Sequence, residues 1–597
     1  MKMKVAEYIA NFFSDNGIKH IFTITGGGAM HLNDAFGHHN KIKCIYNHHE
    51  QACAMAAESY TRLTNKLSGV CVTSGPGGTN AITGVLGGWL DSIPMFIVSG
   101  QVKTTTTVRS TNLPLRQLGD QEFDITECVK TMTKYSYMVT NANEIRYHLE
   151  KALHLAITGR PGPVWLDIPL DIQSTNIDPE GLVGYNFEED MEENFDEIDD
   201  SVINKILDRI EIAKRPVIIA GTGIRLSGSH KEFIKLIDKL NIPVVTAWNA
   251  HDNLWDEHRL YCGRPGTIGT RGGNFVVQNS DLLISLGCRL NIRQISYEWQ
   301  KFAPKAYKIV IDIDKAELKK PTLNIDMPIH ANVRDVILGL INNKTKFNTD
   351  NHREWLKWCK DVNKKYPVVQ KKFYKNDVLT NPYVFMNDLF SCLEEDEVIV
   401  SGNGSACVCS FQAAYLKRGQ RLFTNSGCAS MGYGLPAAFG AAVATNGKRI
   451  ICLDGDGSIQ MNIQELQTIV YHNSNIKIFW LNNDGYHSIR QTQTNLFKKP
   501  LVGVNSENGV SIPSAEKIAV AYGIKFLQIK SNKDIKDIVK SSINTEGPVI
   551  CEVILDSEQN FEPKLSSKIL ENGEIISPEL DDMYPFLERN EYEKNIL

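Results

Sequence analysis

The chain has 597 residues, 42% of them hydrophobic and 22% charged, with a formal net charge of -5. That length exceeds a single hydrophobic core and predicts about three to four domains. The charge, with no Lys/Arg cluster, excludes a basic groove for nucleic acid; no apolar run approaches the ~20 residues that span a bilayer.

Taken in chain order, "MKMKVAEYIANFF" is interrupted by Glu7, Asn11 and Asp15 and reads as an amphipathic first helix rather than a signal peptide. The strand-like runs follow: "GVCVTS", "MFIVSG", "VWLDIP", "PVIIAGT", "IPVVTAW", "DLLISLG", "KIVIDID", "VIVSGNG", "RIICLDGDG", "IKIFWLNN" and "PVICEVI". Short β-branched runs that stop at Gly, Ser, Asp or Asn, alternating with helical patterns, predict parallel strands buried on both faces. The fold class is therefore α/β, with three doubly wound parallel-sheet domains. The 13 cysteines are scattered, mostly in apolar runs, and read as reduced thiols of a cytoplasmic protein.

Two stretches break the alternation. The acidic "FEEDMEENFDEIDD" lies in an expected linker over 176–199, and "TDNHREWLKWCKDVNKKYP" in a helical linker over 346–369. Domains are expected over 1–175, 200–345 and 370–558, followed by a tail over 559–597 that is either solvated or a flap over the active site. A short echo links "TSGPGGTNAITGV" with "NSGCASMGYGLPAAFGA", which is either a duplication or two ordinary strand-to-helix turns.

The densest chemistry lies in "LDGDGSIQMNIQELQTIVYHNSNIKIFWLNNDGYHSIRQT". Asn483 follows Asp456 by 27 positions, close to the roughly 30 residues of a βαβ unit. Right-handed crossovers then place both at the carboxyl edge of one sheet, where α/β proteins bind ligands. A carboxylate, an amide oxygen and the Gly485 carbonyl suit Mg²⁺, which takes few protein oxygens and completes its shell with water and phosphate. Gly455 and Gly457 leave room for a diphosphate, and Ser458 is expected to open a helix whose N-terminus favours anions. The bland alternative is a tight turn and a strand stop.

This pairing resembles the signature of thiamine diphosphate (ThDP) enzymes. The whole chain is similar to the acetolactate synthase (acetohydroxyacid synthase) group, through "NHHEQACAMAAESYTRLTNKLSGVCVTSGPGGTNAITGV", "SGCASMGYGLPAAFGA" and the stretch above. The resemblance implies pyrimidine-binding, central and diphosphate-binding domains, in that order. It implies that Glu50 hydrogen-bonds the aminopyrimidine ring, favouring the imino form whose exocyclic nitrogen takes the proton from thiazolium C2. It also implies a site shared between subunits, hence a homodimer or homotetramer.

By the same resemblance Met431 is the apolar wedge that bends the cofactor, and Gly402, Asn403, Gly404 and Ser405 form the diphosphate loop, with Asn403 and Gly404 replacing the family's Gln-His pair. Pro76 and Asn80 match positions near the pyrimidine. Gly27 and Gly28 fall in the Pro-Gly-Gly loop, with Thr25 for the proline. Gln121 matches the family's Phe-Gln-Glu, with Asp120 for the Phe. Of His31, His48, His49 and His487, one or two are expected in the pocket, His487 among them as a catalytic and cofactor-contacting group. In the central block Arg289 and Asp312 match flavin-contacting places, whereas "RPGT" departs from the usual loop, so FAD stays an open alternative.

After the paired asparagines, branched-chain amino acid synthases show Gly-Met and then Trp; here His487, Ser488 and Thr492 stand there. Losing the Trp removes a wall of about 150–250 Å², and His, Ser, Arg490 and Thr add hydrogen-bonding groups. The chain also resembles carboligases that attach a two-carbon unit to a keto-sugar nucleotide for bacterial surface polysaccharides. The expected function is a ThDP- and Mg²⁺-dependent carboligase, taking a 2-oxo acid donor (pyruvate) and a small-molecule carbonyl acceptor. The alternatives are acetolactate synthesis proper, non-oxidative 2-oxo acid decarboxylation, or a non-catalytic ThDP-binding relative.

Overall fold

The computed structural model describes residues 2–190, 195–345, 349–375, 378–497, 499–569 and 575–597. Its centre is a pair of parallel six-stranded sheets. In the first, strands run in the spatial order 43–46, 20–23, 68–72, 95–101, 164–169, 135–138. In the second the order is 421–423, 398–401, 450–455, 476–482, 549–554, 525–529. Numbered by chain order within each sheet, both read 2-1-3-4-6-5. A parallel five-stranded sheet lies between them in sequence, in the order 244–246, 216–220, 282–286, 307–312, 327–330. Three doubly wound parallel sheets thus meet the expected fold class.

The shared strand order supports duplication, but the sequence echo is out of step. "TSGPGG" follows the third strand of its sheet, whereas "NSGCASMG" follows the second strand of the other. The equivalent elements are the helices after each second strand, Glu50–Thr64 and Gly434–Ala444. These pack face to face. Their contact is built from small residues, because a Cβ on Gly440 would run into the Ala56 carbonyl. Inside the contact the Ser59 hydroxyl donates to Ala437 O at 2.7 Å, and the Tyr433 hydroxyl donates to Glu58 at 2.5 Å. Both polar pairs are fully buried, which makes this joint specific as well as apolar.

Local signals account for the helix starts. Pro76 occupies the first turn of the helix Pro76–Asp91, where a missing N–H costs nothing. Asn381 accepts from Tyr383 and Val384 ahead of Pro382, and Asp199 accepts from Val202 at 2.9 Å.

Two boundary expectations change. Asn176–Ile177 pairs antiparallel with Met3–Lys4, so the first domain continues past 175. The expected helical linker forms the helix Arg353–Lys365, whose Trp355, Cys359 and Val362 are buried in the central core; the Trp355 indole donates to Pro216 O at 3.0 Å. A helix with an apolar face belongs to a core, not to a tether. Residues 191–194 of the acidic stretch and 346–348 of the second lie outside the described residues.

The tail is not a solvated end. At its root Phe561 is buried beside the helix His487–Leu496, and at its end Leu580 joins the central core. Asn274 donates to Leu580 O at 2.8 Å, and Asn279 to Asn595 O at 2.8 Å. Its described end therefore docks on the central domain rather than lying as a flap over the sheet edges. Among the described residues no helix is long and apolar enough to cross a membrane.

Candidate active site

The carboxyl edge of the sheet of strands 421–423 to 525–529, the third sheet in chain order, carries Asp456 and Asn483. Gly455 pairs with Leu481 across neighbouring parallel strands, so Asp456 and Asn483 leave the sheet side by side, as their spacing predicts. The Asp456 carboxylate accepts from Gly457 N at 2.7 Å and Gly485 N at 2.9 Å. The Asn483 amide donates to Ser405 Oγ at 3.1 Å, while its Oδ1 is buried with no partner. A buried acceptor left unpaired costs about 1–3 kcal/mol, and a cation between it and the carboxylate removes that cost. Burial pushes the Asp456 carboxyl up to about 6, against the lowering effect of the backbone N–H groups.

The turn after Asn483 is held from outside. Arg490 donates to the carbonyls of Asn483, at 3.0 Å, and Asp484. Gly485, with φ 102°, has no room for a side chain because of Val504 O. Its carbonyl accepts His487 N at 3.2 Å and keeps a second lone pair. Among the described residues no group of three or more His, Cys, Asp or Glu side chains converges as a metal cluster. The donor set fits Mg²⁺ instead, a hard ion satisfied by one carboxylate, one amide and one carbonyl.

Several residues expected at the cofactor also serve the protein's own packing. A Cβ on Gly457 would enter the Tyr486 ring, and one on Gly402 would strike Asp454. Gly455 alone of the pair opens onto free space. The expected helix opening at Ser458 instead starts at Asp456 and ends at Ile459, too short to offer an anion-binding terminus. The Ser458 hydroxyl accepts from Gly432 N at 2.9 Å. Gly404 is exposed with φ 75° ahead of the helix Ser405–Ala413, whose first-turn N–H groups are free of intrahelical partners. Asn403 turns inward and donates to Asn425 Oδ1 and Ser430 O, both at 2.8 Å. It therefore steadies the loop of half-exposed Met431 rather than reaching outward.

At the first sheet, Glu50 opens its helix behind the His49 cap. Asn80 donates to Glu50 Oε2 at 3.0 Å, and Gly77 beside Pro76 leaves the carboxylate uncovered. Gly75, with φ 58°, lies against the Gln121 backbone, and exposed Gln121 itself has φ 61°. Gly28 N donates to Thr73 Oγ1 at 3.1 Å, and exposed Gly27 meets nothing. Glu50, Asn80, Pro76 and Gln121 thus share one edge. His48 and Gln51 face the third sheet of the same chain, through Thr468 at 2.9 Å and Asn462 at 2.8 Å. No contact joins Glu50 to Asp456 among the described residues.

His487 departs from expectation. It is 6% exposed, its Nε2 meets Gln559 O at 3.1 Å, and its ring packs edge-on to Phe561. Burial pushes its pKa down to about 4. The ring is thus tied to the tail through Nε2, while its Nδ1 is buried with no hydrogen-bond partner. On the same helix Ser488 Oγ lies 3.9 Å from where a Gly404 side chain would project, and the Thr492 hydroxyl donates back to Ser488 O at 3.0 Å.

A cleft with a cavity volume of about 190 Å³ lies between the first and central domains. Arg289 and Asp312 line it with Thr222 and Gly223, as does Ser426 of the third domain. Burial pushes the Asp312 carboxyl up to about 6.

Sequence reasoning missed Asp167 and read Arg490 only as a pocket donor. Fully buried Asp167 accepts from Ser99 at 2.5 Å and Gln101 at 2.9 Å, and Gln101 in turn donates to Phe123 O beside the Gln121 loop. The only signal was an acid inside the apolar strand "VWLDIP".

Two carboxyl edges, each with its own acid, define an α/β enzyme scaffold for a diphosphate-bearing cofactor. Known proteins agree on which. The thiamine pyrophosphate enzyme N-terminal TPP-binding, central and C-terminal TPP-binding domain models match residues 3–127, 203–340 and 402–553. The "Probable acetolactate synthase large subunit" of Methanococcus aeolicus is 32% identical over 581 residues, spanning 93% of this chain and 92% of that one. The acetolactate synthase isozyme 1 large subunit of Escherichia coli is 30% identical over 564 residues, spanning 94% and 95%. The acetolactate synthase large subunit of Lactococcus lactis is 30% identical over 578 residues, spanning 97% and 96%. The chain belongs to the ThDP (thiamine pyrophosphate) enzymes, as a member of the acetolactate synthase group.

Proposed function

We propose that the protein is a Mg²⁺- and ThDP-dependent carboligase that decarboxylates pyruvate and passes the two-carbon unit to a polar carbonyl acceptor, a keto-sugar nucleotide. The observation that carries the acceptor is the helix His487–Leu496. It presents Ser488 toward the exposed Gly404 turn, with Thr492 one turn on, where branched-chain amino acid synthases hold Met and Trp. Hydroxyls in place of an apolar wall favour a substrate that hydrogen-bonds.

Bound ThDP supplies a thiazolium carbon nucleophile and an electron sink for decarboxylation. The protein's own residues do the rest. Glu50, oriented by Asn80, holds a proton at the pyrimidine ring nitrogen. Asp456, Asn483 and the Gly485 carbonyl hold Mg²⁺ at the diphosphate, and Arg490 keeps that turn rigid. The N–H groups of Gly404 and Ser405 bind diphosphate oxygens, and Met431 wedges the cofactor. The orphaned Asn483 Oδ1 supports the metal. Two copies would complete each site as a homodimer or homotetramer, as the resemblance implies. Arg289 and Asp312, with Thr222 and Gly223, line the cleft that would take FAD.

The second reading, acetolactate synthase proper, is favoured by the relatives' names. Pyruvate turnover with ThDP and Mg²⁺, followed with and without a keto-sugar nucleotide, separates the two. The proposal expects the sugar to accelerate CO₂ release and to gain a two-carbon branch. Acetolactate formed at an unchanged rate overturns the sugar acceptor.

A further inference from the structure

The loop from Thr424 to Tyr433 carries Met431 and touches two places at once. On one side it reaches the central cleft, which Ser426, Asp91 and Asn249 all line. The Asn249 side chain clamps the backbone of Thr424, donating to its carbonyl at 2.8 Å and accepting its N–H at 3.1 Å. Asp91 accepts from Gly427 N at 2.9 Å and from Asn249 at 3.4 Å. Asp91 is itself fixed by buried Arg62 at 2.8 Å, and Arg62 is paired to Glu58, the acceptor of the Tyr433 hydroxyl at the loop's far end.

On its other side the same loop is tied to the diphosphate edge. Asn403 donates to Asn425 Oδ1 and Ser430 O, Asn425 donates to Ser430 Oγ at 2.7 Å, and Gly432 N donates to Ser458 Oγ at 2.9 Å. Ala429, with φ 53°, and Gly432, with φ 79°, hold the bend between. Met431 therefore sits between cleft-lining residues and the turn that carries Asp456.

We infer that this loop couples the two cofactor places: a dinucleotide in the central cleft immobilises Asp91 and Asn249, and through them presets Met431 and Asn403 for ThDP. Asp91 and Asn249 are positioning residues, since neither touches the ThDP edge. The inference rests on the FAD reading of the cleft. Coupling of this kind is reciprocal, so ThDP tightens the dinucleotide by the same factor.

The test uses the full chain with Mg²⁺ and measures equilibrium binding of ThDP with and without FAD, and of FAD with and without ThDP. The expected result is a gain of at least about fivefold in each direction, the low end of typical couplings. Asn249→Gly removes the clamp without strain, because Asn249 already has φ 64°. It should bring both factors within about twofold of one while each ligand still binds alone. Asp91→Asn, similar in size, repeats the measurement if the first variant loses its fold. The ratio of affinities is the readout because a merely structural role lowers both affinities and leaves their ratio intact. FAD that binds without changing ThDP affinity, or coupling that survives both variants, overturns the inference alone. FAD that does not bind while ThDP does overturns the reading of the cleft, and this inference with it.

Discussion

The two six-stranded domains have one strand order and two chemistries. After the second strand the first domain places Glu50, and the third domain places the Met431 loop. After the third strand the first domain places Pro76, and the third domain places Asp456. The acids thus occupy different steps of the same topology. Their surroundings differ too. One acid, Glu50, is held by the Asn80 side chain of its own domain; the other, Asp456, lies near a buried amide oxygen with no hydrogen-bond partner among the described residues. A scaffold can be copied whole while the charge balance at its rim is rewritten by two or three residues.

The largest effect should come from the Asp456 edge. Asp456→Ala removes the carboxylate that accepts from Gly485 N, and Mg²⁺-dependent ThDP binding by titration calorimetry should weaken at least ~100-fold, a loss on the scale of disturbed metal sites. Unchanged affinity would mean that the metal is held elsewhere. Glu50→Gln tests the other edge. The amide still pairs with Asn80, so ThDP should bind within a few fold of wild type, while CO₂ release from pyruvate falls about 10²–10⁴-fold, the usual worth of a positioned acid–base group. Loss of binding instead of turnover would erase the contrast between the edges.

The smallest effect is a pH dependence under the first edge. Burial pushes the Asp167 carboxyl up to about 7, against the bonds from Ser99 and Gln101. The folded state then holds a proton that the unfolded chain releases near pH 4. Stability from this group is full below about pH 4 and is lost as pH rises toward 7. Denaturant unfolding at pH 5 and pH 8 should show a smaller difference in Asp167→Asn than in wild type. An equal difference in both would assign the dependence to another group.

The same contrast explains how much the sequence disclosed. Interior strands such as 450–455 and 476–482 were legible because both faces are buried and the run is apolar throughout. The strands 135–138, 327–330, 421–423 and 525–529 were not, since they lie at sheet edges and are short, and most carry half-exposed or charged positions. At the site, Asp456 with Asn483 was legible because its spacing reports a βαβ unit. The roles of Ser458, Asn403 and His487 were not. Each depends on a neighbour distant in sequence: Gly432 for the first, Asn425 for the second and Gln559 for the third. No local pattern encodes such a partner.

The tie between His487 and Gln559 carries a lesson for building chimeras. The two residues are 72 positions apart, yet the ring of one and the carbonyl of the other form a single joint, closed further by Gln491. A crossover placed anywhere between about 500 and 555 would inherit the helix from one parent and its brace from the other. Recombinants meant to trade acceptor preference should therefore exchange 484–497 and 556–565 as one cassette, leaving the two strands and the helices between them untouched.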